Sequence, residues 1–566
     1  MNMDMFQMDD DMTINTTSNE RIIQASIKEI ERLFVQYESD LFMTSKIHHY
    51  ITEQLPSLLR TMEVTREKNK KRNMEHQGEQ EKFITMFLNR HRYYYNLSNE
   101  RFFHYENGSY HEISEDAILH HIVSSISDQK NDLLMNRKHQ TKVMLLKRIK
   151  DQSILKAIPE SVTIQRVLHY LSPMLCSTKT ETKYFLTILG DNLLKKHGQV
   201  IHYISSLVKP FLVSLNQISV EEFHIQCTLS FKHKYHEKHD EDLVRLVKIQ
   251  PHWVADNWDE TRDQIRKFGL DVLCVACHYS RKYGSADDYV LEYSNDSDLQ
   301  DYVFRLKQRN ANYFISDFAK TFLYNRRKID ECPVLSCSTS PQEENFLQQQ
   351  LQSSTTEDNK NLSWSHIQYL WKTYLESNQY PSGMYCYINK KILIDVVFPG
   401  HYNAALDVFE DVGSTQWPLI QKFLKFWDET VQLDVEKECE LEVDEIGQLF
   451  RRWLYRYQKL KRPKYLLKDS QIIDILMYFY PDLVIENNKY VMNVRCSLWD
   501  KEMDMQTAID QWRLEENEET NSVHKAYQYY TKYHHEKTNQ EEGHKRPLLV
   551  SKKYFERFFQ GELRSP

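Results

Sequence analysis

Only twelve glycines and fourteen prolines punctuate 566 residues, and this scarcity constrains the fold more than any other feature of the chain. Gly and Pro supply the left-handed and fixed-φ positions of tight turns. A chain so poor in them reverses direction rarely, which argues against β-sandwiches and Gly-rich cofactor loops and favours long helices. The expected fold class is therefore mainly α and multidomain, with small β-hairpins. At about 100 to 200 residues per domain, the length implies two to four units. Apolar residues at 41% and charged residues at 27% are ordinary for a globular chain and exclude disorder throughout. The 35 tyrosines, with abundant Asn, Lys and Ile, are as well explained by an AT-rich genome as by a function.

A formal net charge of −8 argues against a histone-like polycation, so any contact with nucleic acid must come from a local patch. Nine scattered cysteines and an acidic start, MNMDMFQMDDDM, without a signal peptide point to a reducing intracellular compartment. No apolar run approaches the roughly 20 residues that cross a bilayer, so no membrane partner is expected.

Residues 1–20 read as a disordered tail and residues 21–82 as an N-terminal helical segment, with Ile27, Ile30, Leu33 and Phe34 at helical spacing. Residues 83–330 read as an aromatic hairpin followed by a helical core domain. In that hairpin, YYYNLSNERFFHYENGSYHEI, β-forming aromatics flank turn signals at Asn99 and Asn107-Gly108, and Ser114 caps the next helix. The Ser, Gln and Asn-rich residues 331–362 read as a linker. A helical domain over 363–515 carries Ile367, Leu370, Trp371, Tyr374 and Leu375 on one stripe, and Ile420, Phe423, Leu424, Trp427 and Val431 on another. Residues 516–546 read as a polar linker and 547–566 as a C-terminal docking helix.

YFLTILGDNLLKK resembles a phosphate loop in bringing Gly and paired Lys together, but Gly190 stands alone inside a helical pattern, where a Walker loop needs several glycines around a flexible turn. Cys274 and Cys277 form CxxC, and Cys332 and Cys337 follow about fifty residues on. Four such thiolates could hold zinc. Alternatively, Cys274 and Cys277 serve as small hydrophobes on one face of an apolar helix. His233, His236 and His239 in FKHKYHEKHDED form the densest set of possible metal ligands, weighed against a solvated or structural role. No nucleophile triad and no cofactor motif stands out.

The stretch LFRRWLYRYQKLKRPKYLLKDS, residues 449–470, places eight Arg and Lys among three tyrosines and a tryptophan, with no acid before Asp469. At about 100° per residue, Ile446, Leu449, Phe450, Trp453, Tyr457 and Leu460 gather on one side of a helix. Arg451, Arg452, Tyr455 and Lys459 project from the other. Lys461, Arg462 and Lys464 then surround Pro463, a second helix follows, and LVIENNKYVMNVRC forms a hairpin around Asn487-Asn488. Helix, basic connection, helix and hairpin is the order of a winged-helix-like module. Lys489 and Arg495 are expected on the outer side of its hairpin. Arg451, Arg452, Lys459, Lys461, Arg462, Lys464, Lys489 and Arg495 are thus the candidate contacts to nucleic acid phosphate, weighed against a solvated helix face or an acidic protein partner.

Several phrases, RHRYYYNLSNERFFHYENGSYHEISEDAILHHI, IPESVTIQ, YFLTILGDNLLKK, HYSRKYGSADDYV, LSWSHIQYLWKTYLE and QKFLKFWDETV, resemble uncharacterised proteins of the nucleocytoplasmic large DNA viruses. A weaker similarity is to the segments flanking the motor of poxvirus-type primase-helicases, an aromatic hairpin leading into a helix and a winged-helix-like tail. The motor itself is missing, so helicase activity does not carry over. The resemblance implies a viral replication-associated factor in the host cytoplasm, viral factory or virion, with DNA or RNA and other viral proteins as partners. A structural or interaction scaffold and a metal-dependent enzyme are the competing classes.

Overall fold

The computed structural model describes residues 16–128, 134–135, 137–250, 258–325, 361–434, 439–458, 467–516, 522–540 and 548–562. The protein is mainly helical, with several small sheets and multiple domains. Its N-terminal part consists of α1 (Thr16–Gln36), α2 (Leu41–His49) and α3 (Leu55–Arg90), the last two joined by a π-helical turn, Tyr50–Gln54. Only the last third of α3 is packed, through His76, Gln80, Phe83, Ile84 and Phe87.

The aromatic stretch forms an antiparallel meander of β1 (Arg92–Asn96), β2 (Arg101–Glu106) and β3 (Ser109–Ile113). Asn107 (φ 52) and Gly108 (φ 82) supply the two left-handed positions of its second turn. Because side chains alternate across a strand, the meander serves two cores at once. Tyr93, Tyr95 and Phe102 face one core with α4 (Glu115–Asp128) and α5 (Lys138–Lys150), while Phe103, Tyr105 and Tyr110 face a larger one. The Ser114 hydroxyl accepts from Ala117 N at 3.2 Å and starts α4, as its sequence predicts.

The larger core is built on α6 (Ser161–Met174) and α7 (Lys179–Leu193), the latter buried along nearly its whole length and started by a Thr178/Glu181 capping box. Between α7 and the long helix that crosses it lie β4 (Ile201–Ile204), α8 (Lys209–Phe223), β5 (Phe231–Lys232) and β6 (Val244–Val247). The three strands form a parallel sheet ordered β5-β4-β6, an element absent from the sequence expectation of hairpins alone. The crossing helix is α9 (Trp258–Tyr283). Gly190 is a helix-crossing position against α9, not part of a loop: a Cβ there would meet the carbonyl oxygen of Ala276 at 2.1 Å.

A third core draws on both sides of residues 331–360, which lie outside the described residues. After α10 (Ser297–Val303), helix α11 (Ala311–Phe322) leads into β7 (Leu323–Asn325), and Asn361–Ser363 forms β8. The next elements are α12 (Trp364–Ser377), α13 (Cys386–Ile392), β9 (Tyr402–Asn403), β10 (Val408–Glu410) and β11 (Val412–Ser414). Strand β7 pairs antiparallel with β11, and β8 with β10, so the two flanks are joined by main-chain hydrogen bonds. The predicted stripe of α12 is buried at all five positions, and the Ser363 hydroxyl caps the helix.

The core continues through α14 (Trp417–Thr430), β12 (Val431–Leu433), β13 (Glu440–Glu442), α15 (Val443–Gln458) and α16 (Asp469–Phe479). Three short strands, β14 (Ile485–Glu486), β15 (Tyr490–Met492) and β16 (Val494–Cys496), follow. A fourth core gathers α17 (Lys501–Glu516), α18 (Val523–Gln540) and α19 (Lys552–Glu562). Residues 516–546, expected as a polar linker, thus contain a packed helix. Ala526, Tyr530 and His534 bury one narrow stripe of α18, while His524, Lys525, Gln528, Lys532, His535 and Glu536 are exposed around it and mask the period in the sequence.

Candidate nucleic-acid interface

Strand β13 delivers the chain directly into α15, whose first turn carries Asp444 and Glu445, favourable at the positive end of a helix. The Glu445 carboxylate also accepts from Glu442 N at 2.8 Å. Ile446, Leu449, Phe450, Trp453 and Leu454 are buried, and Phe450 meets Phe423 of α14 at 5.2 Å between ring centroids. That apolar side fixes the rotation of the helix. Arg451, Tyr455 and Arg456 consequently face solvent, and Arg452 is half-buried. Arg456 belongs with this outward group and is the member that the sequence expectation left out. Lys459, Lys461, Arg462 and Lys464 lie outside the described residues.

The hairpin forms at the expected place. Asn487 and Asn488 both take left-handed φ (52 and 51) and join β14 to β15, whose other edge pairs with β13. Its cations, however, are held by carboxylates of the same chain. Lys489 Nζ stands 3.0 Å from Glu442 Oε2, and Glu442 is almost wholly buried. Burial opposes the charge on Glu442, but hydrogen bonds from Ser551 and Lys489 outweigh it and hold the carboxyl below its usual range. Arg495 bridges Asp434 (3.3 Å) and Glu502 (3.6 Å), and so ties β16 to the segment after β12 and to α17. The outer arc of α15 and the hairpin cations therefore differ in kind.

Helix α16, the second helix of the pair, exposes Asp469, Ser470, Gln471 and Met477. Its Asp474 is an ion-pair partner of Lys372 on α12 and accepts from the Tyr369 hydroxyl at 3.1 Å.

A second cationic surface escaped the sequence reading. Residues 137–150, ending in α5, contain six Arg and Lys and no carboxylate, a signal visible in the sequence itself. Thr141, Leu145 and Ile149 bury one side of α5. Arg148 pairs with Glu81, and Lys150 lies 3.6 Å from Glu115, while Lys147 is exposed.

The histidines and cysteines are dispersed into structural contacts. His233 Nδ1 lies 3.2 Å from the Ile204 carbonyl, His239 Nδ1 is 2.6 Å from the Tyr203 hydroxyl, and His236 N donates to that same hydroxyl at 3.0 Å. Cys274 and Cys277 are buried in α9, where burial raises both thiols, Cys277 to about 12. Cys332 and Cys337 lie outside the described residues. Among the described residues no group of three or more His, Cys, Asp or Glu is arranged to hold a metal ion, and no helix is long and apolar enough to cross a membrane. Comparison with protein-family models, with curated proteins and with solved structures returns no match.

Proposed function

We propose that the chain is a non-enzymatic nucleic-acid-binding, replication-associated factor that grips phosphate through the outer face of α15 and the basic connection after it. One observation carries this reading: Arg451, Tyr455 and Arg456 share a solvent-facing arc on a helix whose opposite side is locked into the core. A helix so fixed presents its cations to a polyanion without itself having to be ordered first. The succession α14, β12, β13, α15, α16, β14, β15, with β15 between β13 and β14, supports a winged-helix-like description of this region. The exposed side of α16 carries no cation, which favours sequence-independent backbone binding over readout of bases in a groove. The phrase resemblance to large DNA viruses supports a viral setting, with other viral proteins as further partners.

The test is fluorescence anisotropy with single-stranded and duplex DNA and RNA across a salt series. Affinity is expected to fall log-linearly with salt, by a slope of about 0.9 per neutralised phosphate on duplex. Arg451→Glu combined with Arg456→Glu should flatten that slope. A salt-independent response, or one unchanged in the variant, would remove the proposal.

A second reading, a protein-interaction scaffold, is favoured by one specific observation: residues 19–75 contain no buried side chain.

A further inference from the structure

We propose that the N-terminal arm is a self-association element, occupied by the same arm of a second copy of this chain. From Leu41 to Arg90 the backbone runs as one helical rod through the π-helical turn, about 75 Å at 1.5 Å per residue. Its first buried residue is His76, so residues 41–75 stand away from every core of the described chain, and α1 touches α2 at their start. Helices draw most of their stability from packing an apolar face, and here the apolar residues face water. Ile23 is 56% exposed, Ile27 45%, Leu59 55% and Met62 66%.

The spacing identifies the kind of partner. The exposed Ile23 and Ile27 on α1 continue at helical spacing into the half-buried Ile30 and Phe34, by steps of four, three and four residues, and the exposed Leu55, Leu59 and Met62 on α3 are separated by four and three. That alternation is the seam of helices packing knobs into holes against other helices. Charge then selects the arm itself as the occupant. Residues 16–40 carry five carboxylates and three cations, whereas residues 55–75 carry six cations and three carboxylates. The ion pairs described in the arm, Arg32 with Glu29 and His49 with Glu53, lie between neighbours on the same helix and leave this opposition unused. A two-fold axis that runs the arms antiparallel sets the acidic α1 of each copy on the basic stretch of α3 of the other, an isologous contact that closes at two copies. A stable interface buries about 800 Å² per partner, and the exposed Ile23, Ile27, Leu55, Leu59 and Met62 give such a contact its apolar centre.

Sedimentation equilibrium of the nuclease-treated full-length protein tests this. A concentration-dependent dimer is expected, and Ile23→Asp with Ile27→Asp and Leu59→Asp should render it monomeric. Those positions touch none of the four cores, so the main thermal transition should stay in place. Glu20→Lys with Glu31→Lys should weaken the dimer at least tenfold, and adding Arg66→Glu with Lys70→Glu on the same chain should restore it. A monomer at all concentrations, a higher oligomer, a dimer indifferent to the three aspartates, or a combined reversal that fails to recover would each overturn the proposal. None of these readouts depends on nucleic-acid binding by α15.

Discussion

Gly190 of α7 lies so close to Ala276 of α9 that a single added carbon would stand 2.1 Å from the Ala276 carbonyl oxygen and 2.7 Å from Ser280 Cβ. The crossing is tied polar-side as well: Ser280 donates to Asp191 at 2.6 Å, and Ala286 N donates to the same carboxylate at 2.8 Å. Backbone against backbone has no flexible end that can give way, so Gly190→Ala must push the helices apart. A loss of about 3 kcal/mol or more is expected, at the upper end of overpacking effects. Denaturant unfolding followed by tryptophan fluorescence would show it. A variant as stable as the parent would mean that the helices do not cross at this distance.

The pair Glu445–Lys501 sets α17 against the start of α15, with both side chains at most 6% exposed. Lys501 also donates to the Glu440 carbonyl at 2.9 Å and lies 4.7 Å from the Tyr554 ring centroid, so one ammonium joins β13, α15, α17 and α19. Burial pushes the Glu445 carboxyl up to about 7 even with its cation beside it. Lys501→Met therefore leaves a buried carboxylate uncompensated, a loss of about 3–5 kcal/mol, and Glu445→Gln added to it should recover most of that. A carboxyl with a raised folded pKa favours the folded state while protonated and loses that contribution as pH rises through the folded value. Without the cation that lowers it, the Glu445 carboxyl is raised further, so the deficit of Lys501→Met should be largest at alkaline pH and shrink as pH falls toward about 7, below which both chains hold Glu445 protonated. A deficit that is constant with pH, or a double variant no better than the single, would refute the assignment.

What could be read in advance was whatever a short window decides. The stripe of α12, the inner side of α15, the Ser114 and Ser363 caps and the Asn487-Asn488 turn all depend on residues within about two helical turns of one another. The parallel strands β4, β5 and β6 pair across more than twenty residues, and β5 is two residues long, so no local period announces them. The same reason hid the fate of Lys489 and Arg495: their carboxylates at Glu442 and Asp434 lie about fifty or sixty positions earlier and meet them only through β-pairing. Helix α18 was obscured differently, because its buried stripe is narrow and its tyrosines sit among polar neighbours.

His202 of β4 is buried between Ser230, whose hydroxyl is 3.0 Å from its Nδ1, and the ring of Tyr184. Burial first, then Arg245 and His197, pushes its pKa down to about 3. The folded protein thus keeps His202 neutral, whereas an unfolded chain protonates it below about 6.5. This contribution is complete above pH 6.5 and is lost progressively as pH falls toward the folded value, at about 1.4 kcal/mol per pH unit. Asp191, raised to about 6 chiefly by burial, and Glu445 work in the opposite direction, so the parent's own pH curve mixes signs. Comparison with His202→Gln isolates the histidine. Between pH 6.5 and 5 the parent should lose about 2 kcal/mol more than the variant. Parallel curves would place the His202 titration elsewhere.

Lys489 and Arg451 provide the sharpest separation of structural from binding cations. Lys489 satisfies a buried carboxylate, so Lys489→Met should cost about 1–3 kcal/mol by leaving Glu442 without the cation beside it. Nucleic-acid affinity should then change less than about twofold, because that ammonium is already committed inside the molecule. Arg451 is exposed on the outer arc of α15, so Arg451→Glu combined with Arg456→Glu should leave the unfolding midpoint in place. At low salt the same pair should reduce affinity by on the order of tenfold or more, since two cations are removed and two anions introduced facing phosphate. Thermal melts and anisotropy titrations on the same preparations give both quantities. If Lys489→Met lowers affinity at unchanged stability, the hairpin rejoins the binding surface. If the arginine pair lowers stability without affecting affinity, the outer face of α15 is an ordinary solvated surface.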